Sequence, residues 1–228
     1  MEQRAQHLSR SLEYNAFVSL PLSAGDSAPA EALAEALAAV REAALAAAGA
    51  EAAAFRAATW TAPRKLHLTL RMLRLYSDEA WSRAGEALWQ GVQDWAKEEK
   101  RMGRAAGDGI LVRLGDVGHF GGSETAARVL WLEPRRLASL CRHVDASLVA
   151  RGLLSPSEVE PPRLHATIVK TRPGGRRRAG LDASALRRAR DASPFRHWDA
   201  ELREIHVSAR FETDPATGYY QPAAVVNL

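Results

Sequence analysis

Two short runs of the chain alternate apolar and polar residues with a period of two. In the first, Leu66, Leu68, Leu70 and Met72 fall on one face and His67, Thr69 and Arg71 on the other. In the second, Leu164, Ala166 and Ile168 oppose His165, Thr167 and Val169. Both patterns predict strands with one buried face. A third strand is expected from Tyr14 to Leu22, followed by a turn over Ser23 to Ser27 and an alanine-rich helix opened by Pro29 and ended near Gly49, with Leu33, Leu37, Val40 and Leu45 as its stripe. Ser77-Asp78 caps a second helix in which Trp81, Ala84, Leu88, Val92 and Trp95 recur at helical spacing, so these tryptophans are assigned to the core. Gly109 to Val117 and Ala127 to Glu133 read as strands around a glycine-rich turn, Gly118 to Gly122. A further helix, Pro134 to Arg151, stops at Gly152. Strand and helix patterns alternate without a long linker, which predicts one α+β domain over residues 1–228.

The polar faces of the first two runs spell the same word, His-x-Thr, at His67-Leu68-Thr69 and His165-Ala166-Thr167. With only 7 His in the chain, chance expects well under one copy. Their surroundings match as well. A leucine precedes each histidine (Leu66, Leu164), a basic residue lies two before it (Lys65, Arg163), and another follows the threonine (Arg71, Lys170). This is an internal duplication. Two imidazoles that titrate near neutrality suit phosphodiester cleavage, one taking a proton from the attacking oxygen and the other protonating the leaving oxygen. The threonine hydroxyls, one pleat away, can donate hydrogen bonds to the non-bridging phosphate oxygens. No metal or cofactor is needed for this scheme, and no His-Glu-x-x-His or Cys-x-x-Cys spacing is present.

The paired motifs resemble the 2H phosphoesterase superfamily. The stretches Tyr14 to Leu22, Gly118-His119-Phe120-Gly121 and Gly218-Tyr219-Tyr220 resemble its A-kinase-anchoring-protein, or 2′-5′ RNA ligase-like, branch, so nearly the whole chain is covered. The resemblance implies an α+β fold of two pseudo-symmetric lobes, with antiparallel sheets flanking a central cleft and helices outside. It also implies His67 and His165 as acid and base, Thr69 and Thr167 as their hydroxyl partners, and Phe120, Lys170 and Tyr219 as contacts to substrate. The implied substrate is 2′-5′-linked oligoadenylate or a related RNA oligonucleotide. The alternatives are an RNA 3′-end or cyclic-phosphate processing enzyme, a nucleotide-binding module without turnover, and a scaffold that binds a protein through its surface helices.

Composition changes this picture little. A net charge of +4 favours an anionic partner. The single cysteine, Cys141, lies on an apolar stripe with Leu137, Leu140, Val144 and Leu148, so it is read as core. The chain lacks an 18-residue apolar run and begins without an apolar signal core, so the expectation is a monomer, away from membranes, in cytoplasm or nucleus. The glycine-rich turn lacks the Lys-Ser/Thr of a phosphate loop. Of the remaining histidines, His119 alone is expected near the cleft. After the second motif, Lys170 to Arg178 and then Arg187, Arg188 and Arg190 form a basic stretch that either is simply solvated or gathers the phosphates of an oligonucleotide.

Overall fold

The computed structural model describes residues 14–22, 28–47, 52–103, 110–134, 137–159, 161, 164–171, 180–192 and 198–228. The expected turn at 23–27, Arg163 and the basic stretch 172–179 lie outside the described residues. The elements are β1 (Ala16–Pro21), α1 (Ala28–Ala47), α2 (Ala52–Ala57), β2 (Thr59–Trp60), β3 (His67–Leu73), α3 (Asp78–Arg101), β4 (Ile110–Phe120), β5 (Val129–Pro134), α4 (Ala138–Ala150), β6 (Ala166–Lys170), α5 (Ala183–Ala192), β7 (Trp198–Leu202), β8 (Glu204–Thr213) and β9 (Tyr220–Asn227). The strands lie in the order β7-β4-β5-β6-β3-β1-β8-β9, with β2 also on β6. All named pairs are antiparallel.

The order splits into two halves of four strands. β3-β1-β8-β9 forms one lobe and β6-β5-β4-β7 the other, and the seam between them is the single pair Leu68↔Ala166. The two halves repeat each other residue by residue. Ser19 pairs with Thr69 in the first lobe, as Trp131 pairs with Thr167 in the second. Beyond them, His206 lies across from Ser19, as Gly118 lies across from Trp131.

Helices cover the faces away from the cleft. α3 opens at Ser77, whose hydroxyl accepts from the Ala80 amide at 3.2 Å, and its apolar stripe, including Ala84, Leu88, Val92 and Trp95, is buried. α4 packs closely on it at Gly91, where a Cβ would stand 2.9 Å from the Val144 Cα. Cys141 is buried in α4 with Leu140, Val144 and Leu148, and burial pushes its thiol up to about 12.

Each motif strand carries a bulge directly after its threonine. Val18 pairs with Arg71 and Ser19 with Thr69, so Leu70 is the extra residue. Leu130 pairs with Val169 and Trp131 with Thr167, so Ile168 is its counterpart. The bulge reverses the alternation expected from sequence. Arg71 does not share the face of His67 and Thr69; it turns to the helices and forms a two-pronged ion pair with Asp145 of α4, at 2.5 and 2.6 Å. Val169, likewise expected beside His165, is fully buried. A second difference concerns the glycine-rich turn. β4 continues through Gly118 to Phe120, because Gly118 lies beneath the Trp131 indole, where a Cβ would overlap the ring. His119 pairs with Leu130 and so alternates away from the face of Gly118 and Phe120. The turn proper starts at Gly121 and Gly122, both at positive φ.

Candidate active site

The seam pair places the two motifs side by side and antiparallel. Carried one residue either way, this register sets His67 across from Thr167 and Thr69 across from His165, all four on one face. The histidines are then diagonal neighbours across the seam, at positions roughly 7–8 Å apart.

His67 is oriented from behind. Pro63 starts a 3₁₀ turn, Pro63–Lys65, closed by the Lys65 amide on the Ala62 carbonyl at 2.8 Å. That turn aims the Lys65 carbonyl at His67 Nδ1, 2.8 Å away. A carbonyl can only accept, so Nδ1 carries the proton and Nε2 presents a lone pair. The ring sits among Phe17 (5.2 Å between centroids), Tyr220 (5.5 Å) and Tyr219 (6.2 Å), the tyrosines edge-on. Burial holds its pKa below the usual 6.5; the Lys65 bond works against this, and the nearby His165 and Lys170 reinforce it. His67 is therefore neutral at neutral pH.

His165 immediately precedes β6, with Phe120 edge-on at 4.9 Å and Trp131 at 5.8 Å. Lys170 is exposed at the end of the same strand, close enough to lower the pKa of His67. The expected contacts Phe120 and Lys170 thus both lie on the second lobe's side of the cleft. Tyr219 is placed differently. It is only 6% exposed, and its hydroxyl is engaged by Ser19 at 2.9 Å inside the first lobe. The neighbouring Tyr220 is half-buried, packs on Phe17 at 4.9 Å, and lies under the Lys65 ammonium at 5.0 Å. Tyr220 and Lys65 are the cleft residues that reading the sequence missed. The pair Tyr219-Tyr220 was visible, but the pleat position that buries the first and turns the second to the cleft was not.

The walls of the two half-sites have diverged. Behind His67 are polar groups: Ser19, Tyr219, and His206, whose Nε2 is 2.9 Å from Glu204 Oε2. Behind His165 the equivalent places hold Trp131 and Gly118, closed by Phe120. The α5 arginines are occupied elsewhere. Arg187 pairs with Glu124, Arg188 with Asp182 at 3.7 Å, and Arg190 with Asp191 at 2.7 Å. A groove of about 600 Å³ between α3 and α4 holds His143, bonded to Glu98, and includes neither motif. Among the described residues, no three His, Cys, Asp or Glu side chains are gathered so as to hold a metal ion, and no helix is long and apolar enough to cross a membrane.

Two antiparallel half-sheets, each presenting a His-x-Thr strand to one cleft, define a 2H phosphoesterase fold. A solved structure supports the fold: TT0787 of Thermus thermophilus is 19% identical, with 94% of this chain and 97% of that one covered and a TM-score of 0.51. E. coli LigT complexed with 3′-AMP is also similar, at 20% identity, with 94% and 98% covered and a TM-score of 0.48. A comparison with curated proteins gave no match. The chain belongs to the family described as the AKAP7 2'5' RNA ligase-like domain, whose profile matches residues 14–228.

Proposed function

We propose that this protein is a phosphodiesterase that cleaves 2′-5′-linked oligoadenylate or related RNA with His67 as general base and His165 as general acid. The observation that carries this reading is the bond from His67 Nδ1 to the Lys65 carbonyl, which leaves a neutral Nε2 as proton acceptor beside the second motif. A 2′-5′ linkage leaves a free 3′-hydroxyl beside the phosphorus. Nε2 of His67 removes its proton, the oxygen attacks phosphorus in line, and the bond to the 5′ oxygen breaks. That oxygen leaves with the proton of the His165 imidazolium, and the product is a 2′,3′-cyclic phosphate. Each step moves one proton, so the site ends with His67 charged and His165 neutral.

Charge accumulates on the two non-bridging oxygens during attack. Thr69 and Thr167 donate to them from either side, and Lys170 supplies a positive charge at the rim. Phe120 and Tyr220 wall the bases and riboses. Phosphodiesterase activity in general is supported by family membership. The preference for 2′-5′ bonds rests on how the cleft presents the ribose to the in-line axis, where a misplacement of about 1 Å costs on the order of 100-fold.

The test is to incubate the protein with matched 2′-5′ and 3′-5′ oligoadenylates and identify the products. Preferential cleavage of the 2′-5′ series through a cyclic phosphate is expected. Equal rates on both would refute the preference, and removal of terminal nucleotides from 3′-5′ RNA alone would favour the end-processing reading.

A further inference from the structure

On the rim of the first lobe, arginines and aromatic rings alternate in a row that leads away from His67. The Arg74 guanidinium covers the Tyr14 ring at 4.1 Å and is held there by Glu158 at 3.2 Å, and Arg210 covers Phe211 at 5.0 Å, so Arg210 is the cation of the row without a carboxylate partner among the described residues. The two pairs are tied together: Arg210 Nη1 donates to the Tyr14 carbonyl at 3.0 Å and the Arg210 amide to the Asn15 carbonyl at 3.0 Å. Asn15 in turn clamps the segment to the residues just after β3 through both of its amide atoms on the Leu75 backbone, at 2.6 and 2.8 Å. Phe211 is 70% exposed, the most of any large apolar side chain described, and Tyr14 is 37% exposed.

The exposure of Phe211 is built in. Ser208 pairs with Pro222 and Thr213 with Tyr220, so four residues of β8 stand against the single Gln221 of β9, and Arg210, Phe211 and Glu212 among them are exposed. The same hairpin is anchored at the cleft, where Lys65 Nζ donates to Thr213 Oγ1 at 2.8 Å. Arg210 lies near enough to Tyr220 to counter the effect of burial on its hydroxyl. The row is therefore continuous with the site.

An aromatic ring shielded by a guanidinium on one side offers its other face at little hydrophobic cost, and guanidinium planes themselves stack on bases. Cationic groups alternating with exposed rings are the means by which proteins hold single strands without reading sequence. We propose that Arg74, Tyr14, Arg210 and Phe211 form an extended track for single-stranded oligonucleotide beyond the scissile linkage, so that the enzyme favours long substrates over dinucleotides. This rests on the phosphodiesterase reading above. β3 rises about 3.3 Å per residue, which puts Arg74 roughly 23 Å from His67 along the strand. A dinucleotide does not span that distance; eight stacked nucleotides at about 3.4 Å each do.

The experiment compares a fluorescent 2′-5′ oligoadenylate octamer with the dinucleotide, in binding and in turnover, for wild type, Phe211→Ser and Arg210→Gln. Wild type should bind the octamer more tightly. Phe211→Ser should lose about 10-fold of that advantage, with unchanged dinucleotide turnover. Arg210→Gln should lower the salt slope of octamer binding by about 0.7, the share of one released counterion on a single strand. Circular dichroism checks that both variants fold. Octamer affinity and salt slope equal to wild type in both variants, or no length advantage in wild type, would overturn the track. Failure to cleave either length would instead count against the phosphodiesterase reading, since binding of a non-cleaved octamer still tests the track.

Discussion

Removing the carboxylate of Asp145 tests the link between the first motif strand and the helical layer. Arg71 and Asp145 meet in two short bonds, 2.5 and 2.6 Å, with side-chain exposures of 12% and 6%. Asp145→Ala leaves a guanidinium with little access to water, and breaking a buried pair from one side costs about 3–5 kcal/mol. A domain of ordinary stability holds about 5–15 kcal/mol in all, so the variant should retain only a marginal fold. For a chain of this size each kcal/mol corresponds to about 2–4 °C, giving a fall in Tm of roughly 6–20 °C. The second lobe suggests the compensating change, because the residue equivalent to Arg71 there is the buried Val169. Arg71→Val with Asp145→Leu removes both charges together, and apolar replacement of a whole buried pair is often neutral. Urea unfolding of wild type, Arg71→Val, Asp145→Leu and the double variant closes a cycle whose coupling should exceed about 2 kcal/mol. A loss below about 1 kcal/mol in Asp145→Ala, or additive effects, would refute the view that this pair fastens the strand.

The remaining predictions concern the chemistry. His67→Ala and His165→Ala should each lower turnover by roughly 10²- to 10⁴-fold with the fold intact, and Thr69→Ala and Thr167→Ala by about 1–3 kcal/mol of transition-state binding; near-native activity in either histidine variant would remove the two-histidine mechanism. The acid limb of kcat/KM should fall below pH 6.5, where His67 finally protonates. The unfolded chain binds more protons than the native one in that window, so native stability is present above pH 6.5 and lost as pH falls through the lowered pKa; His67→Gln should flatten that slope in urea midpoints measured against pH. Turnover should persist in EDTA, and abolition by chelation with rescue by Zn²⁺ or Mg²⁺ would contradict the scheme. Gly118→Ala should force the Trp131 ring aside at a cost of about 1–3 kcal/mol, visible as altered tryptophan emission and a lower urea midpoint.

The strands that carry the two motifs, the Ser77 cap and the α4 stripe were legible because each is a local pattern with a fixed period. The bulges were not. Leu66, Leu68, Leu70 and Met72 continue a flawless alternation, and only the pairing of Val18 with Arg71 shows that the phase changes after Thr69. The buried Leu73 and Leu75 were the available signal, since they break that alternation. Gly118 reads as a turn residue until Trp131, the ring it accommodates, is placed across from it. The choice between Tyr219 and Tyr220 was equally out of reach, because it is decided by Ser19, 200 residues away.

The one-pair seam at Leu68 and Ala166 has a consequence for the order of assembly. The half that bears His165 is closed by strands from one continuous stretch, Ile110 to Leu202, so it can form once that stretch has left the ribosome. The half that bears His67 brackets it: Ala16 pairs with Ala209, and β8 with β9 must be made before β1 gains its second neighbour. The nascent chain therefore holds the His165 half ready while the His67 half waits for the β8-β9 hairpin, and no phosphate can meet both histidines until that hairpin has been made.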